Sequence, residues 1–461
     1  MSEQARAPRD VWPWIAAIAL LFAAAAVLRW HNALHYFPNF GFDAEFNWDY
    51  IRKLTHDWAL PEPESMWSAA RPPLFFYVGA ALARAFGPML EPSVHAIRLS
   101  GSALGLVAVG LVVRFVWRAA PDGPRCAVLA AALLLFLPAH IYMSAMLNEE
   151  VMVAALTTAT LWLALAERFA PARPGRPPAW WRTLGIGVLG GLALLTKLTG
   201  ALVVVAVCLA IVIDGLRARR VGAALRRAAA IVAVALVVGG WFYARNLWLH
   251  GYIYPSHLEA HAIMLSMPPG ARSVGDYVNL PLATFRDPRM NSPDLLHSVW
   301  GGTWATLWFD GQRHFVPRSD PNVTRMGTLI TLLALLPGVA FFVGAWRALQ
   351  RALRAPGTVE TPMLLLVALT LAGYILYTWQ NPWYATVKGS YLLGLALPFG
   401  WWSSDALCAW MRRSRWLAAL IWIDCAALVV AAALAFTFGT PLWEMVPGRD
   451  MPGLPWLPGQ P

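Results

Sequence analysis

Charged residues are scarce in this sequence. Of its 461 residues, 13% are Asp, Glu, Lys or Arg and 58% are hydrophobic, whereas a soluble domain carries about 25% charged residues. This scarcity excludes a water-soluble globular fold. Lys and Arg still outnumber Asp and Glu by 36 to 25, a formal charge of +11. Because the cations sit in short clusters between apolar stretches, we attribute the excess to membrane topology and predict no nucleic-acid partner.

Cysteine is also rare, and common catalytic motifs are missing. All four cysteines fall inside apolar stretches without CxxC spacing, so neither a disulfide nor a thiolate metal site is predicted; they are Cys126, Cys208, Cys408 and Cys425. The sequence has no GxxxxGK[ST], HExxH, GxSxG or DxDxDG pattern. It therefore gives no support to P-loop, zinc-protease or serine-hydrolase chemistry.

Long apolar runs recur along the chain. A helix needs about 20 apolar residues to cross the hydrocarbon core, and such runs must be helices because lipid offers no backbone partners. We predict an all-α integral membrane protein with about 11 spans, near residues 11–30, 95–117, 125–145, 149–168, 184–200, 201–216, 228–248, 326–349, 362–380, 388–408 and 416–438. These form one transmembrane domain over residues 1–438, followed by an external tail at 439–461.

Basic clusters predict the orientation. Lys and Arg concentrate in short cytoplasmic loops, which places the N-terminus in the cytoplasm and leaves loops 31–94 and 251–325 outside. A crossing by the apolar stretch 72–86 would invert every later loop, and the stretch is shorter than a span. We expect it to be an interfacial or re-entrant helix. The clusters used are Arg6/Arg9, Arg118/Arg125, Arg168/Arg173/Arg176/Arg182, Arg217/Arg219/Arg220/Arg226/Arg227, Arg347/Arg351/Arg354 and Arg412/Arg413/Arg415.

Two acidic groups occupy the predicted external side. Asp43 and Glu45 lie just beyond the first span, and Glu149-Glu150 follow Asn148 at the mouth of the fourth. Desolvation at the bilayer surface can raise the pKa of a carboxyl and make it a competent base. The first group could equally be a solvated amphipathic helix, and the second could only favour a helix dipole.

Several cations map to the same side. Each could be a simple interfacial anchor, but carboxylates and cations from distant parts of the chain converge there. A carboxylate can take a proton from an acceptor hydroxyl while cations stabilise a departing phosphate. The cations are Arg71, Arg98, Lys197, Arg245 and Lys388.

Several of these residues fall in segments that form an ordered set along the chain: residues 41–51, 71–77, 96–100, 148–149, 195–200 and 241–246, with a looser similarity at 388–398. In this order the segments resemble the dolichyl-phosphate-mannose protein mannosyltransferase superfamily, which includes bacterial family 39 glycosyltransferases and the lipid A aminoarabinose transferase.

This resemblance implies a C-type membrane glycosyltransferase with a polyprenyl-phosphate sugar donor and a periplasmic site, in a bacterial inner membrane. By position, it implies that Asp43 is the base and Glu149 a second acidic site residue. The donor phosphate would contact Arg71, Lys197 and Arg245, with Lys388 added from its place on the same side. Supporting positions are Asn47, Tyr50, Arg98, Asn148, Asn246 and Tyr391.

The sequence departs from relatives in the first loop. Ala44 separates Asp43 from Glu45, and Asn47 stands where relatives often have His. Whether Glu45 and Glu150 also act, and whether a divalent metal joins them, stays open. No other cofactor is expected.

The sequence thus predicts transfer of a hexose or pentose to an external lipopolysaccharide component, glycan or protein, with membrane lipids as further partners. The alternatives are a transporter or lipid flippase, or a non-catalytic scaffold. A transporter should show inverted repeats and polar groups near mid-bilayer, whereas the ionisable residues appear concentrated at span ends. Loop 251–325 matches no motif, and acceptor choice is expected there.

Overall fold

The computed structural model describes residues 11–438 except 39, 64, 88–89, 167–179, 255–265, 268–269, 291, 317–320 and 356. Across these residues the chain is helical, and its strand-like pairing is limited to one antiparallel bridge between Ser266 and Trp383. The predicted all-α class is confirmed. The predicted tail 439–461 and part of the basic clusters lie outside the described residues, namely Arg6, Arg9, Arg168, Arg173 and Arg176.

The first half of the described chain contains eleven α-helices. They are α1 (Trp12–His35), α2 (Ala44–Asp57), α3 (Leu74–Phe86), α4 (Leu90–Ala119), α5 (Gly123–Leu135), α6 (Pro138–Ala145), α7 (Glu150–Ala166), α8 (Trp180–Thr196), α9 (Ala201–Arg217), α10 (Val221–Ala235) and α11 (Trp241–His250). A short 3₁₀ turn, Leu198–Gly200, precedes α9, and a π-helical segment, Leu236–Gly240, joins α10 to α11.

The second half contains the remaining long helices and the loop that the sequence predicts to be external. Its longer helices are α12 (Val299–Leu307), α13 (Pro321–Leu333), α14 (Leu335–Arg354), α15 (Glu360–Gln380), α16 (Ala396–Met411) and α17 (Arg415–Ala435). Shorter helical segments lie at Val274–Tyr277, Ala283–Arg286, Pro293–Leu296, Tyr384–Thr386 and Gly389–Leu395.

Seven helical stretches in the described residues are long and apolar enough to cross a membrane, or eight if the bent pair α5–α6 is one span. The seven are Trp12–His35, Glu91–Ala119, Leu198–Arg217, Val221–His250, Asn322–Arg354, Glu360–Gln380 and Arg415–Ala435. The integral membrane class is thus confirmed. The other predicted positions hold shorter helices, so the count of 11 spans stays a prediction.

The bend between α5 and α6 is 49° and has a local cause. Pro138 lacks a backbone donor and keeps Leu137 out of the helical region, and Leu137 is extended. Arg29 of α1 donates to the carbonyl oxygen of Leu135 at 2.8 Å and contacts His140 Nδ1 at 2.7 Å. A side chain from α1 therefore supplies a donor where the helix is interrupted.

Charged residues also lie within helices and away from their ends. Arg29 is one, and Asp424 lies near the middle of α17. The expectation that ionisable residues concentrate at span ends is therefore too simple. Arg29 is only 1% exposed and donates to the carbonyl oxygens of Ala25 and Leu135. Neither residue pairs with a residue of the site described below.

The centre of the protein is formed by α4, α5, α7 and α16, and α5 is buried along almost its whole length. Small residues allow close packing there. A Cβ atom on Gly344 of α14 would lie 2.3 Å from the carbonyl oxygen of Trp402 in α16. This approach requires glycine at that position.

One sequence expectation about cysteine is wrong. The structure joins Cys126 of α5 to Cys408 of α16 in a disulfide, while Cys208 and Cys425 are free. The paired residues are 282 positions apart. Their proximity follows from the packing of α5 on α16, which spacing along the chain does not reveal.

The predicted first external loop contains a pair of helices, α2 and α3. They share a core in which the rings of Tyr50 and Phe76 stack with centroids 4.1 Å apart. The predicted helix at 72–86 is present as α3, whose 13 residues span about 20 Å, less than the hydrocarbon core. Its interfacial position stays a prediction.

Candidate active site

Six charged side chains from five places in the sequence converge on one site, which we call the charged cluster. Three are carboxylates and three are cations, and loops or helix starts carry most of them. The members are Asp43, Arg71, Glu149, Glu150, Lys197 and Lys388. All six were singled out in the sequence.

A tight turn positions Asp43 at the start of α2. Gly41 has a φ of 119°, and a Cβ atom there would lie 2.6 Å from Met146 Cγ, so the turn requires glycine. Asp43 itself has a φ of 54°, in the left-handed region. Its carboxylate accepts a hydrogen bond from Arg71 Nη2 at 2.6 Å.

Arg71 connects the two acidic groups. Besides Asp43, its guanidinium donates to Asn47 Oδ1 at 3.1 Å and lies 3.5 Å from both carboxylate oxygens of Glu149. Asn47 is fixed in turn because its amide donates to the carbonyl oxygen of Leu147 at 2.9 Å. One planar side chain thus holds carboxylates from two distant loops in a defined relation.

The start of α7 supplies the second acidic group. Asn148 Oδ1 accepts the backbone N–H of Glu150 at 2.9 Å, and Asn148 Nδ2 donates to the carbonyl oxygen of Phe42 at 3.2 Å. Lys197, between α8 and the following 3₁₀ turn, donates to Glu150 at 2.5 Å and to Glu149 at 3.5 Å. Asn148 therefore ties α7 to the turn that carries Asp43.

Lys388 enters the cluster from the C-terminal half. Its ammonium lies 4.5 Å from the centre of the ring of Phe42, the residue that precedes Asp43 in the sequence. The residues on either side of Lys388 are held by segment 251–325. Gly389 N–H donates to Thr306 Oγ1 at 2.7 Å, and Gln312 Nε2 donates to the Val387 carbonyl oxygen at 3.3 Å. Sequence reasoning missed Thr306 and Gln312, since no motif marks a residue that holds a backbone group.

The charges within the cluster keep one another ionised. Burial raises the pKa of Asp43, but Arg71 and Lys388 outweigh it and hold that pKa well below its usual range. For Glu149, burial is likewise outweighed, by Arg71 and Lys197, and its pKa is lowered. The Asp43 side chain is 30% exposed and that of Glu149 5% exposed. Asp43 is thus the carboxylate of this pair that a substrate can reach.

Burial and the neighbouring carboxylates also shift the pKa values of the cations. Burial lowers the pKa of Arg71 and of Lys197, yet the neighbouring carboxylates outweigh burial and raise both. Lys388 differs because burial, only partly opposed by Asp43, lowers its pKa. At neutral pH, Arg71 and Lys197 are therefore firmly protonated, and Lys388 is the cation that loses its proton first.

Other predicted site residues lie outside the charged cluster. Arg245 donates to Asn246 Oδ1 at 3.3 Å and interacts with Tyr50, which is packed between α2 and α3. It lies on α11, beyond the π-helical segment, which adds a residue to the turn and changes the helical phase expected from a regular helix.

Arg98 and Glu45 are likewise not brought to the cluster. Arg98 closes the end of α1 by donating to the carbonyl oxygens of Tyr36, Phe37 and Pro38 at 2.5–2.9 Å. In the part of the chain that the structure describes, no ion pair involves Glu45. Two residues after Asp43 on a helix, its side chain points to a different face.

A metal site was left open by the sequence. Within the described ranges, no group of three or more His, Cys, Asp or Glu side chains is placed to hold a metal ion. The carboxylates of the charged cluster instead accept hydrogen bonds from Arg71 and Lys197.

The helical fold of the described residues is similar to that of two solved oligosaccharyltransferase structures. The fold is similar to the apo oligosaccharyltransferase of Archaeoglobus fulgidus, with a TM-score of 0.52 and 14% identity over 93% of this chain and 56% of that chain. A complex of AglB from the same organism with an inhibitory peptide and a dolichol-phosphate has a TM-score of 0.54 and 14% identity, over 94% of this chain and 56% of that chain. This chain therefore spans just over half the length of those proteins. ArnT from Cupriavidus metallidurans, in the apo state, has a TM-score of 0.43 and 18% identity, over 91% of this chain and 75% of that chain.

Residues 70–243 match the family of dolichyl-phosphate-mannose-protein mannosyltransferases. The matched segment contains Arg71, Glu149, Glu150 and Lys197 and confirms the resemblance seen in the sequence. No curated protein matches the chain.

Proposed function

We propose that this protein is a glycosyltransferase that moves a hexose or pentose from a polyprenyl-phosphate donor to an acceptor on the periplasmic side of a bacterial inner membrane, with its N-terminus in the cytoplasm. The observation that carries the proposal is the placement of Arg71 between Asp43 and Glu149, with Lys197 and Lys388 beside them. The acceptor would be a lipopolysaccharide component, a glycan or a protein.

The cluster supplies the two groups that sugar transfer needs. Asp43 takes the proton of the acceptor hydroxyl as the acceptor oxygen bonds to the anomeric carbon. The bond from that carbon to the phosphate oxygen breaks, and its electron pair stays on the phosphate. The phosphate thereby goes from one negative charge to two, so the cations stabilise the transition state more than the bound donor.

Donor binding would also change the basicity of Asp43. Arg71 and Lys388 lower the pKa of Asp43, and a phosphate beside them offsets their positive charge. The carboxylate would then be ionised before the donor binds and more basic afterwards. Proton abstraction is favoured only once the donor is in place.

The comparisons support the class of donor. A structural relative of known fold was solved with dolichol-phosphate, and the matching family is named after a sugar on that lipid. The cluster cations could bind the phosphate of such a lipid, with its chain running between apolar helices.

The test uses the full chain in lipid nanodiscs with labelled polyprenyl-phosphate sugars and membrane extracts as the acceptor source. Asp43→Asn should reduce transfer at least about a hundredfold, because proton transfer by a placed base contributes about 10²–10⁴-fold, while donor binding persists. Near-normal transfer by this variant would overturn the role of Asp43. Asp49→Asn is the matched control, since Asp49 is half-exposed and its ion pair among the described residues is with Arg52.

The same preparation tests the flippase alternative. Movement of labelled lipid between leaflets of proteoliposomes, without sugar transfer or release, would replace the proposed function with lipid transport.

A further inference from the structure

Three tyrosines border the charged cluster without belonging to it: Tyr254 after α11, Tyr377 near the end of α15, and Tyr391 in the helical turn after Lys388. The rings of Tyr377 and Tyr391 meet edge to face, with centroids 5.8 Å apart. Lys197 Nζ lies 4.9 Å from the centre of the Tyr391 ring. Tyr254 interacts electrostatically with Arg71, Lys197 and Tyr377. We call these three residues the tyrosine shelf.

The shelf is partly exposed, unlike a neighbouring tyrosine. The Tyr377 side chain is 39% exposed, and Tyr254 and Tyr391 are half-buried. Tyr374, one turn before Tyr377, is only 4% exposed, and its hydroxyl is held by Thr303 at 2.7 Å. Packing therefore accounts for Tyr374 but leaves surface on the shelf beside the cations.

The chemistry of the shelf differs from that of the charged cluster. A phosphate needs cations, whereas a sugar ring offers both C–H faces and hydroxyls. Tyrosine matches such a ligand because it combines an apolar ring with a polar tip. The three hydroxyls lie within electrostatic reach of the cluster charges, so a ligand on the shelf would be next to a phosphate held by Arg71 and Lys197.

We propose that the tyrosine shelf binds the sugar of the lipid-phosphate donor, with Tyr377 as its most exposed surface. This inference rests on the proposed function and deepens it. Contact between Tyr391 and Lys197 favours the donor sugar over an acceptor, because the donor sugar is bonded to the phosphate that Lys197 would hold. Affinity for the donor would then have two sources. The tyrosine shelf would contact the sugar, and the cations would contact the phosphate.

The test compares two ligands that differ only in the sugar: a polyprenyl-phosphate sugar and the same polyprenyl phosphate without it. Dissociation constants are measured for the full chain in nanodiscs. Tyr377→Leu should weaken binding of the sugar-bearing lipid about tenfold, the effect of losing one aromatic contact, and leave the sugar-free lipid within about twofold. Tyr377→Phe should recover most of the loss if the ring face is the main contact.

Tyr277→Leu is the matched control. Tyr277, in the short segment Val274–Tyr277, is also half-buried and packs against the end of α15. Its hydroxyl contacts Thr378 and its ring lies beside Trp379. This variant should bind both lipids as the wild type does.

Other outcomes overturn the inference in distinguishable ways. Equal weakening of both lipids by Tyr377→Leu would mean that Tyr377 supports the fold or the phosphate site. An increase in the KM for acceptor alone would assign the shelf to the acceptor. Unchanged affinity for both lipids would exclude a binding role. Wild-type protein that binds neither lipid would overturn the proposed function itself and, with it, this inference.

Discussion

Arg71 donates to the carboxylate of Asp43 across 2.6 Å, although 28 residues of loop and helix separate them in the sequence. Both side chains are partly exposed, so the pair lies at the surface that a substrate would approach. The same guanidinium reaches Asn47 and Glu149. Arg71 thus joins both acidic groups through one side chain.

Replacing Arg71 by lysine should therefore be damaging even though the charge is kept. A single ammonium cannot reach Asp43, Asn47 and Glu149 in the geometry of a guanidinium. We expect kcat/KM for transfer to fall about a hundredfold. Arg52→Lys is the control and should have little effect, because Arg52 is exposed and its ion pair in the described part of the chain is with Asp49. Activity within about threefold of wild type for Arg71→Lys would contradict this account.

Glu150 should compete with the donor phosphate for Lys197. It accepts a hydrogen bond from Lys197 at 2.5 Å and makes no contact with Arg71 in the described part of the chain. Glu150→Gln removes one negative charge beside the predicted phosphate position, so polyprenyl phosphate should bind several-fold more tightly. Binding measured in nanodiscs at two salt concentrations checks this, with Glu45→Gln as the control. Weaker binding would show instead that Glu150 is needed to position Lys197.

The pH profile should be flat on the acid side and limited on the alkaline side. Asp43 and Glu149 have lowered pKa values, so both stay ionised well below pH 7. Lys388 has a lowered pKa, so it loses its charge at a lower pH than an ordinary lysine. We expect kcat/KM to be constant from about pH 5 to about pH 7, given ordinary carboxyl pKa values of about 4, and then to fall. Lys388→Arg should move the alkaline fall to higher pH. A profile that falls below pH 6 would contradict the lowered carboxyl pKa values.

The lowered pKa values of Asp43 and Glu149 should also make the fold less stable at acid pH. A carboxyl with a pKa lower in the folded than in the unfolded state stabilises the fold above its unfolded pKa, and this contribution is lost as pH falls through the folded pKa. The contribution of Asp43 and Glu149 should therefore be complete above about pH 5 and decline below about pH 4. In the double variant Asp43→Asn/Glu149→Gln, thermal unfolding midpoints should depend less on pH in that range. An unchanged dependence would assign the acid sensitivity to other carboxylates.

Much of the architecture was predictable because hydrophobic length and charge asymmetry act locally. Each apolar run predicts its own helix, and the short stretch that became α3 was recognised because it is shorter than a span. The convergence of Asp43, Arg71, Glu149, Lys197 and Lys388 was also anticipated, since topology and the order of motifs place them on one side.

What the sequence did not predict depends on contacts between distant segments. The carbonyl oxygens at the end of α1 occupy Arg98. The pairing of Cys126 with Cys408 depends on how α5 packs against α16. None of these contacts has a periodicity or a spacing that a single sequence displays.

The support of Lys388 by Thr306 is such a long-range contact, and it gives the last prediction. Thr306 Oγ1 accepts the N–H of Gly389 and donates within α12 to the carbonyl oxygen of Gly302 at 2.7 Å. Thr306→Val keeps the shape but leaves the buried N–H of Gly389 without its acceptor, which costs about 1–3 kcal/mol. Because Gly389 follows Lys388 directly, donor affinity should fall together with the unfolding temperature, and Thr306→Ser should restore both.

Thr331→Val separates this effect from the loss of any buried hydroxyl. Thr331 is as buried as Thr306, but its hydroxyl donates only to carbonyl oxygens of its own helix, Gly327 and Thr328. Its replacement by valine should leave donor affinity unchanged, because no backbone N–H loses an acceptor there. Equal loss of affinity in both variants would mean that Thr306 affects the site through global stability. If only Thr306→Val loses donor affinity, and the alkaline fall of its kcat/KM profile is shifted, Thr306 is identified as the residue that positions Lys388.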